Sequence, residues 1–214
     1  MTQTQINDIA RLEKIRRFVA IDAESTGVGR PSRKEMLNAA PDWKPKGVVI
    51  EIGAVEYLKV DGAWRRGETF HSYVNPCAPI SHWGFKIHGI TYKTLKGAPW
   101  FDRVAPRLMA FLGNAPLVAQ GYSNERDYID FEMARAGLIA YGEQTFPQNR
   151  WLCTQSIYRR YFAKSPTNLD AICDALGIDR TGRVKHGALQ DAELTAEALL
   201  AMAESLKRRS AHAA

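Results

Sequence analysis

The 214-residue chain is 45% hydrophobic and 24% charged, an ordinary globular composition with enough apolar material for one core and too little for two. Its 29 Lys and Arg against 23 Asp and Glu leave a formal charge of +6, which suits a polyanionic partner better than an acidic surface. Three widely spaced cysteines, Cys77, Cys153 and Cys173, offer neither a disulfide framework nor a CxxC metal site. No stretch approaches the ~18 uncharged apolar residues of a membrane span, and the opening MTQTQINDIARLEKIRR lacks an apolar core like that of a signal peptide, so a cytoplasmic protein is expected.

In chain order, Ile6, Ile9, Ala10 and Leu12 recur at near-helical spacing and predict a short packing helix over a 1–17 extension, ahead of the main domain at 18–207. FVAI at 18–21 reads as a buried strand, VVIEIGAVEYLKV at 48–60 as a longer one and TFHSYV at 69–74 as a third. Asp61-Gly62 turns between the last two, so the three predict an antiparallel meander. Further on, helices are expected near 101–112, 125–136, 168–176 and 187–207, with strands at PLVAQ and around Trp151–Thr154, before a tail at 208–214. Strands followed by alternating β and α units predict an α/β fold, a mixed sheet covered by helices.

The segment 28–47 is long, irregular and basic, with Pro31, Pro41, Pro45 and Trp43. It reads first as a solvated surface insertion; the alternative is a basic flap in which Trp43 can stack on a base of a single strand.

The strand FVAI runs into DAESTG. Side chains at i and i+2 of a strand share a face, so Asp22 and Glu24 project together near its carboxyl end, where they repel unless a cation lies between them. Oxygen-only ligand sets bind hard divalent ions such as Mg²⁺ or Mn²⁺, and such sites serve phosphate chemistry. Alone, the pair reads equally as a solvated strand end. His186 and Asp191, five apart in HGALQD across the start of the last helix, add an imidazole and a carboxylate that could share a cleft with it.

Together, Asp22-Ala23-Glu24-Ser25-Thr26-Gly27, the following VVIEIGAVEY and the HGALQD segment resemble the DnaQ-like DEDDh exonucleases, over about Phe18 to Met202. The resemblance implies an RNase H-like fold with a five-stranded mixed sheet, and a 3′ to 5′ exonuclease that uses two divalent ions, Mg²⁺ or Mn²⁺. It implies metal ligation by Asp22, Glu24, Asp191 and a middle-motif acid, catalysis by these with His186 as general base, and substrate contacts from Ser25, Thr26 and His88 of HGIT. The family often carries an acid five residues before that histidine; here the position is Trp83, which replaces a polar contact by a stacking surface. The middle motif departs most: its ungapped counterpart starts at Gln120-Gly121-Tyr122-Ser123-Asn124-Glu125, with Tyr128, Ile129 and Glu132 in register. This puts Glu125 where the metal-binding aspartate belongs, with Asp127 as the rival two residues on. Cys153 stands where relatives often have Asp, with an expected effect on packing.

The implied partner is a nucleic acid with a free 3′ end, DNA by overall resemblance, and a DNA polymerase subunit is a candidate partner. The chain ends soon after its last helix and so is expected to work alone or to dock through another surface. The altered middle motif keeps a second class open, a nucleic-acid-binding or polymerase-accessory module of impaired catalysis; an RNA-directed exonuclease is the third reading.

Overall fold

The computed structural model describes residues 11–27, 29–38 and 47–211. The helix expected from Ile6 lies mostly outside them; residues 11–14 are helical. Trp43 and the rest of 39–46 also lie outside, and with them the stacking part of the flap reading; within the 28–47 stretch expected to be irregular, Arg33–Leu37 form a short helix because Ser32 and Glu35 cap it reciprocally.

Five strands form one sheet in the order β3-β2-β1-β4-β5. β1 (Arg17–Ser25), β2 (Val49–Val60) and β3 (Ala63–Tyr73) make the antiparallel meander, while β4 (Leu117–Ala119) and β5 (Trp151–Cys153) join parallel beside β1. Asp61 and Gly62 turn the β2–β3 hairpin with φ of +49° and +79°, the left-handed pair that matches strand twist. Seven helices are described beside the sheet: α1 (Arg33–Leu37), α2 (His82–His88), α3 (Phe101–Leu112), α4 (Ser123–Arg135), α5 (Thr154–Tyr161), α6 (Leu169–Leu176) and α7 (Ala188–Ala211).

Several elements exceed their expected bounds. β1 continues through Asp22 and Glu24 because β2 pairs with it as far as Glu24↔Glu51, before a bulge at Ser25. β3 starts six residues earlier than TFHSYV, its exposed first half held by hairpin pairing rather than burial. α5 was not anticipated; its TQSIYRRY is polar and buries only Thr154, Ile157 and Tyr158. Cys153 at its N-cap makes no capping bond. α7 runs on to Ala211, past the boundary at 207, so Arg208 and Arg209 belong to a helix.

The sheet separates two cores by the parity of its strands. Phe18 and Ala20 face α7, packing with Val55, Val118, Ala192, Ala196, Leu199 and Met202. Val19 and Ile21 face α3 and α4, with Ile52, Val104, Leu108, Ile129 and Met133. Each fully buried Leu or Met of this kind stabilises the fold by about 1.5–3 kcal/mol. The same parity carries Asp22 and Glu24 onto the α7 side. A Cβ at Gly53, the partner of Asp22, would lie 2.0 Å from the Leu189 nitrogen, so only glycine lets the start of α7 approach the sheet there.

Candidate active site

A cleft of about 260 Å³ opens at the carboxyl end of β1. Asp22, Glu24 and Ser25 from β1, His88 from α2, Glu125 and Tyr128 from α4, and His186 and Asp191 from the start of α7 all line it. One ligand atom each from Glu24, His186 and Asp191 lies within 4.8 Å of the others. Asp22 and Glu125 lie outside that tightest group but share the cleft, and the Glu125 charge raises the proton affinity of Asp22.

The electrostatics are those of crowded carboxylates. Asp22 keeps a partly open edge, yet enclosure, followed by the charges of Glu125, Glu24, Asp191 and Glu51, pushes its pKa well above the usual range. Burial and the Asp191 charge lift Glu24 to about 7, against the opposing pull of His186 and Arg183. Burial carries Glu125 to about 8, and its Oε2 is buried without a hydrogen-bond partner. An orphaned carboxylate oxygen in a cleft that also holds Asp22, Glu24 and Asp191 fits a hard divalent cation, which would supply the missing charge.

Asp191 is the exception. Burial opposes its ionisation, but hydrogen bonds from Arg183 and His186 outweigh it and hold the pKa low. Arg183 donates through Nε to Oδ1 (2.5 Å) and through Nη2 to Oδ2 (2.7 Å), and its Nη1 reaches Asp170 at 2.5 Å. His186 Nδ1 sits 3.1 Å from Asp191 Oδ2, and this contact is the main cause of its raised pKa. Nδ1 is engaged by Asp191 and by Arg183 Nη2 at 2.9 Å, which leaves Nε2 as the nitrogen to accept a proton.

Two residues that sequence reading missed support this arrangement. Glu51, buried in β2 opposite Glu24, accepts from the Ala188 backbone N–H (3.0 Å) and from His71 Nε2 (2.7 Å), anchoring the first turn of α7. Its signal was a lone carboxylate inside the otherwise apolar VVIEIGAV. Arg183 had a weaker signal, a single basic residue three before His186.

The remaining expected contacts divide. Ser25 Oγ bonds to the Gly27 carbonyl and the Tyr128 hydroxyl at the edge of the cleft. Thr26 is buried and its hydroxyl accepts from Val48 N–H, so the side chain braces the loop after β1 rather than lining the cleft. His88 is buried, its Nδ1 accepts from Ile90 N–H, and desolvation lowers its pKa. Of the two acids competing in the middle motif, Glu125 lines the cleft, whereas Asp127 is held by Arg30 Nε and Arg126 Nη2, each at 2.7 Å. Glu132, at a further motif position, accepts from Val49 N–H and Arg135, tying α4 to β2.

The family model described as an exonuclease matches residues 19–199, most of the chain and every residue of this cleft. The chain belongs to the DnaQ-like exonuclease family. DnaQ-like relatives include DNA polymerase III subunit epsilon of Pasteurella multocida, 31% identical over 192 residues, covering 87% of this chain and 68% of that one. The Escherichia coli subunit is 30% identical over 194 residues, covering 88% and 72%. Among solved structures, the nuclease domain of 3′hExo, a DEDDh family member bound to rAMP, superposes with a TM-score of 0.68 at 20% identity over 90% of this chain and 94% of that one. Exonuclease X in complex with 5′ overhanging duplex DNA gives 0.59 at 23%, over 88% and 91%. The sheet and flanking helices are thus the RNase H-like fold of DnaQ-like exonucleases. The chain is an exonuclease of this family, which is of the kind that uses divalent metal ions. No helix among the described residues is long and apolar enough to cross a membrane.

Raised carboxyl pKa values set a pH dependence for the metal-free protein. Glu24 and Glu125 take up protons on folding, so their penalty is absent below the unfolded value near 4.5 and grows until pH passes the folded values of about 7 and 8. The melting temperature in chelator is expected to fall between pH 5 and about 8 and then level with respect to these groups; Glu125→Gln should flatten the fall. A melting curve series that rises over this interval in both proteins would contradict the assignment. Because ligating carboxylates must be deprotonated, calorimetric titration with Mn²⁺ near pH 7 should also release protons.

Proposed function

We propose that this exonuclease removes nucleotides from the 3′ end of single-stranded or frayed DNA in a proofreading-like manner, using two Mg²⁺ or Mn²⁺ ions. The observation that carries the reading is the meeting of four carboxylates and the His186 imidazole, with His88 beside them, in one cleft at the end of β1. Asp22, Glu24, Glu125 and Asp191 would hold the ions, which would turn the repulsion among these groups into affinity for cations. When bound, such ions polarise the scissile phosphate and acidify the attacking water. His186 takes the water's proton at Nε2, with Nδ1 oriented by Asp191. Arg183 and Glu51 position Asp191 and the turn that carries it. Ser25 and His88 border the terminal nucleotide, and Thr26 fixes the loop beneath it.

DNA is favoured by the relatives at 30–31% identity, which are subunits of a DNA polymerase; by the same likeness a DNA polymerase subunit is the partner to test by co-purification. With 5′-labelled single-stranded DNA and either metal, the wild type should give a ladder shortening from the 3′ end and release nucleoside monophosphates; matched RNA should be degraded more slowly. No shortening in either metal, or shortening from the 5′ end, would reject the proposal. Faster loss of the RNA would move the substrate class and keep the chemistry.

A further inference from the structure

α2 stands at the mouth of the cleft with one edge buried and the other open. Its N-cap Ser81 accepts from Gly84 N–H, and Ser81 N–H donates to the Thr26 carbonyl at 2.6 Å. Gly84 and His88 form the buried edge; a Cβ on Gly84 would come 3.0 Å from that same carbonyl, so the helix is seated directly on the end of the catalytic strand. On the open edge Trp83 is 62% exposed and Ile87, one turn along on the same side, is 39% exposed and lines the cleft.

The open edge is also charged and rigid. Lys86 Nζ lies 4.9 Å from the centre of the Trp83 ring, covering one face of the indole. Lys185 Nζ donates to the Lys86 carbonyl at 2.8 Å, and His186 N–H donates to the Ile87 carbonyl at 3.3 Å. The helix end is thereby stitched to the loop that carries His186. An exposed indole backed by a cation, beside an apolar step into a cleft that hydrolyses phosphodiesters, has the make-up of a stacking site for a base with its phosphate held nearby.

We propose that Trp83, Lys86 and Ile87 form a base-stacking platform for the unpaired nucleotide immediately 5′ of the terminal one, and that Trp83 sets a preference for single-stranded ends. This rests on the exonuclease reading of the adjoining cleft. Ile87 flanks the terminal nucleotide, and the ~6 Å of one helical turn carries the strand out to the indole. A base in a duplex has no free face to offer, so pairing close to the 3′ end forfeits the contact. Stacking serves all four bases, because each has a π-face, and the lysines answer the phosphates.

The test uses Trp83→Ala, Trp83→Phe and Lys86→Gln. In steady-state assays the preference of the wild type for a single-stranded decamer over a methyl ester of thymidine 5′-monophosphate, read as a ratio of kcat/KM, should fall about tenfold or more in Trp83→Ala and largely return in Trp83→Phe. The preference for single-stranded over blunt duplex ends should shrink in the same variant. Independently of turnover, a decamer with a terminal phosphorothioate linkage should quench wild-type tryptophan fluorescence, and the quenching should diminish in Trp83→Phe. Lys86→Gln should lower the slope of log affinity against log salt by about 0.7. Unchanged ratios together with unchanged quenching in the Trp83 variants would overturn the platform while leaving the exonuclease standing. Quenching by the decamer in a wild type that shortens no oligonucleotide would do the reverse.

Discussion

Asp22→Ala is expected to reduce kcat/KM on single-stranded DNA by at least about a thousandfold, since the carboxylate that faces all the others contributes several kcal/mol of transition-state stabilisation through the ions it holds. The same change is expected to raise the melting temperature of the metal-free protein. Asp22 is enclosed and repelled by Glu125, Glu24, Asp191 and Glu51, so removing it relieves repulsion that proton uptake or cations otherwise relieve. A residue kept for folding would show the opposite pairing, with activity lost because the protein unfolds. Gel assay and thermal melting in chelator read the two halves separately; activity within tenfold of wild type would sink the assignment. His186→Ala should cost about 10²–10⁴-fold with the fold intact, and the acid limb of the pH profile should become shallower, the part that remains belonging to the ligating carboxylates. The sign follows from its role: a base works deprotonated, so activity falls as pH drops below a pKa that Asp191 holds above the ordinary histidine value.

The second large effect separates Glu125 from Asp127. Two residues on a helix are ~200° apart, so α4 can turn only one of them into the cleft. Glu125 is the one there, with an unpartnered buried oxygen. Glu125→Gln is expected to cut activity at least about a hundredfold, because catalytic geometry tolerates little misplacement, while stabilising the metal-free fold near pH 8. Asp127→Asn is expected to leave activity within a few fold and to lower stability by about 1.5–3 kcal/mol, since it weakens charge-assisted bonds to Arg30 and Arg126. The crossed outcome, activity lost with Asp127→Asn and retained with Glu125→Gln, would exchange the roles.

Much of the site was legible in the residues because its chemistry is short-range in sequence. DxE on a strand and HGALQD at a helix start place their own side chains by local periodicity alone, and both pairs line the cleft. Strand and helix order followed from apolar spacing, with α3 reproduced at 101–112. Elements held by pairing or by a thin apolar stripe were harder to read. The first half of β3 is exposed and exists because β2 offers it a ladder, and α5 buries three residues of eight.

What the sequence by itself determined is the chemical kind of the protein: a basic α/β chain with carboxylates and a histidine at spacings that suit cations and phosphate. Tertiary structure decided which groups act together. It joined α7 to the sheet through Glu51 and the space left at Gly53, locked Asp191 with Arg183, gave Asp127 to two arginines, and turned Thr26 inward. Each of these depends on contacts between segments up to 137 residues apart, whose geometry is set by packing rather than by any local pattern. For the same reason the pair in FVAIDAESTG is not a solvated strand end: it is burial beside Glu125 and Asp191, supplied by other parts of the chain, that makes its charges too costly to leave uncompensated.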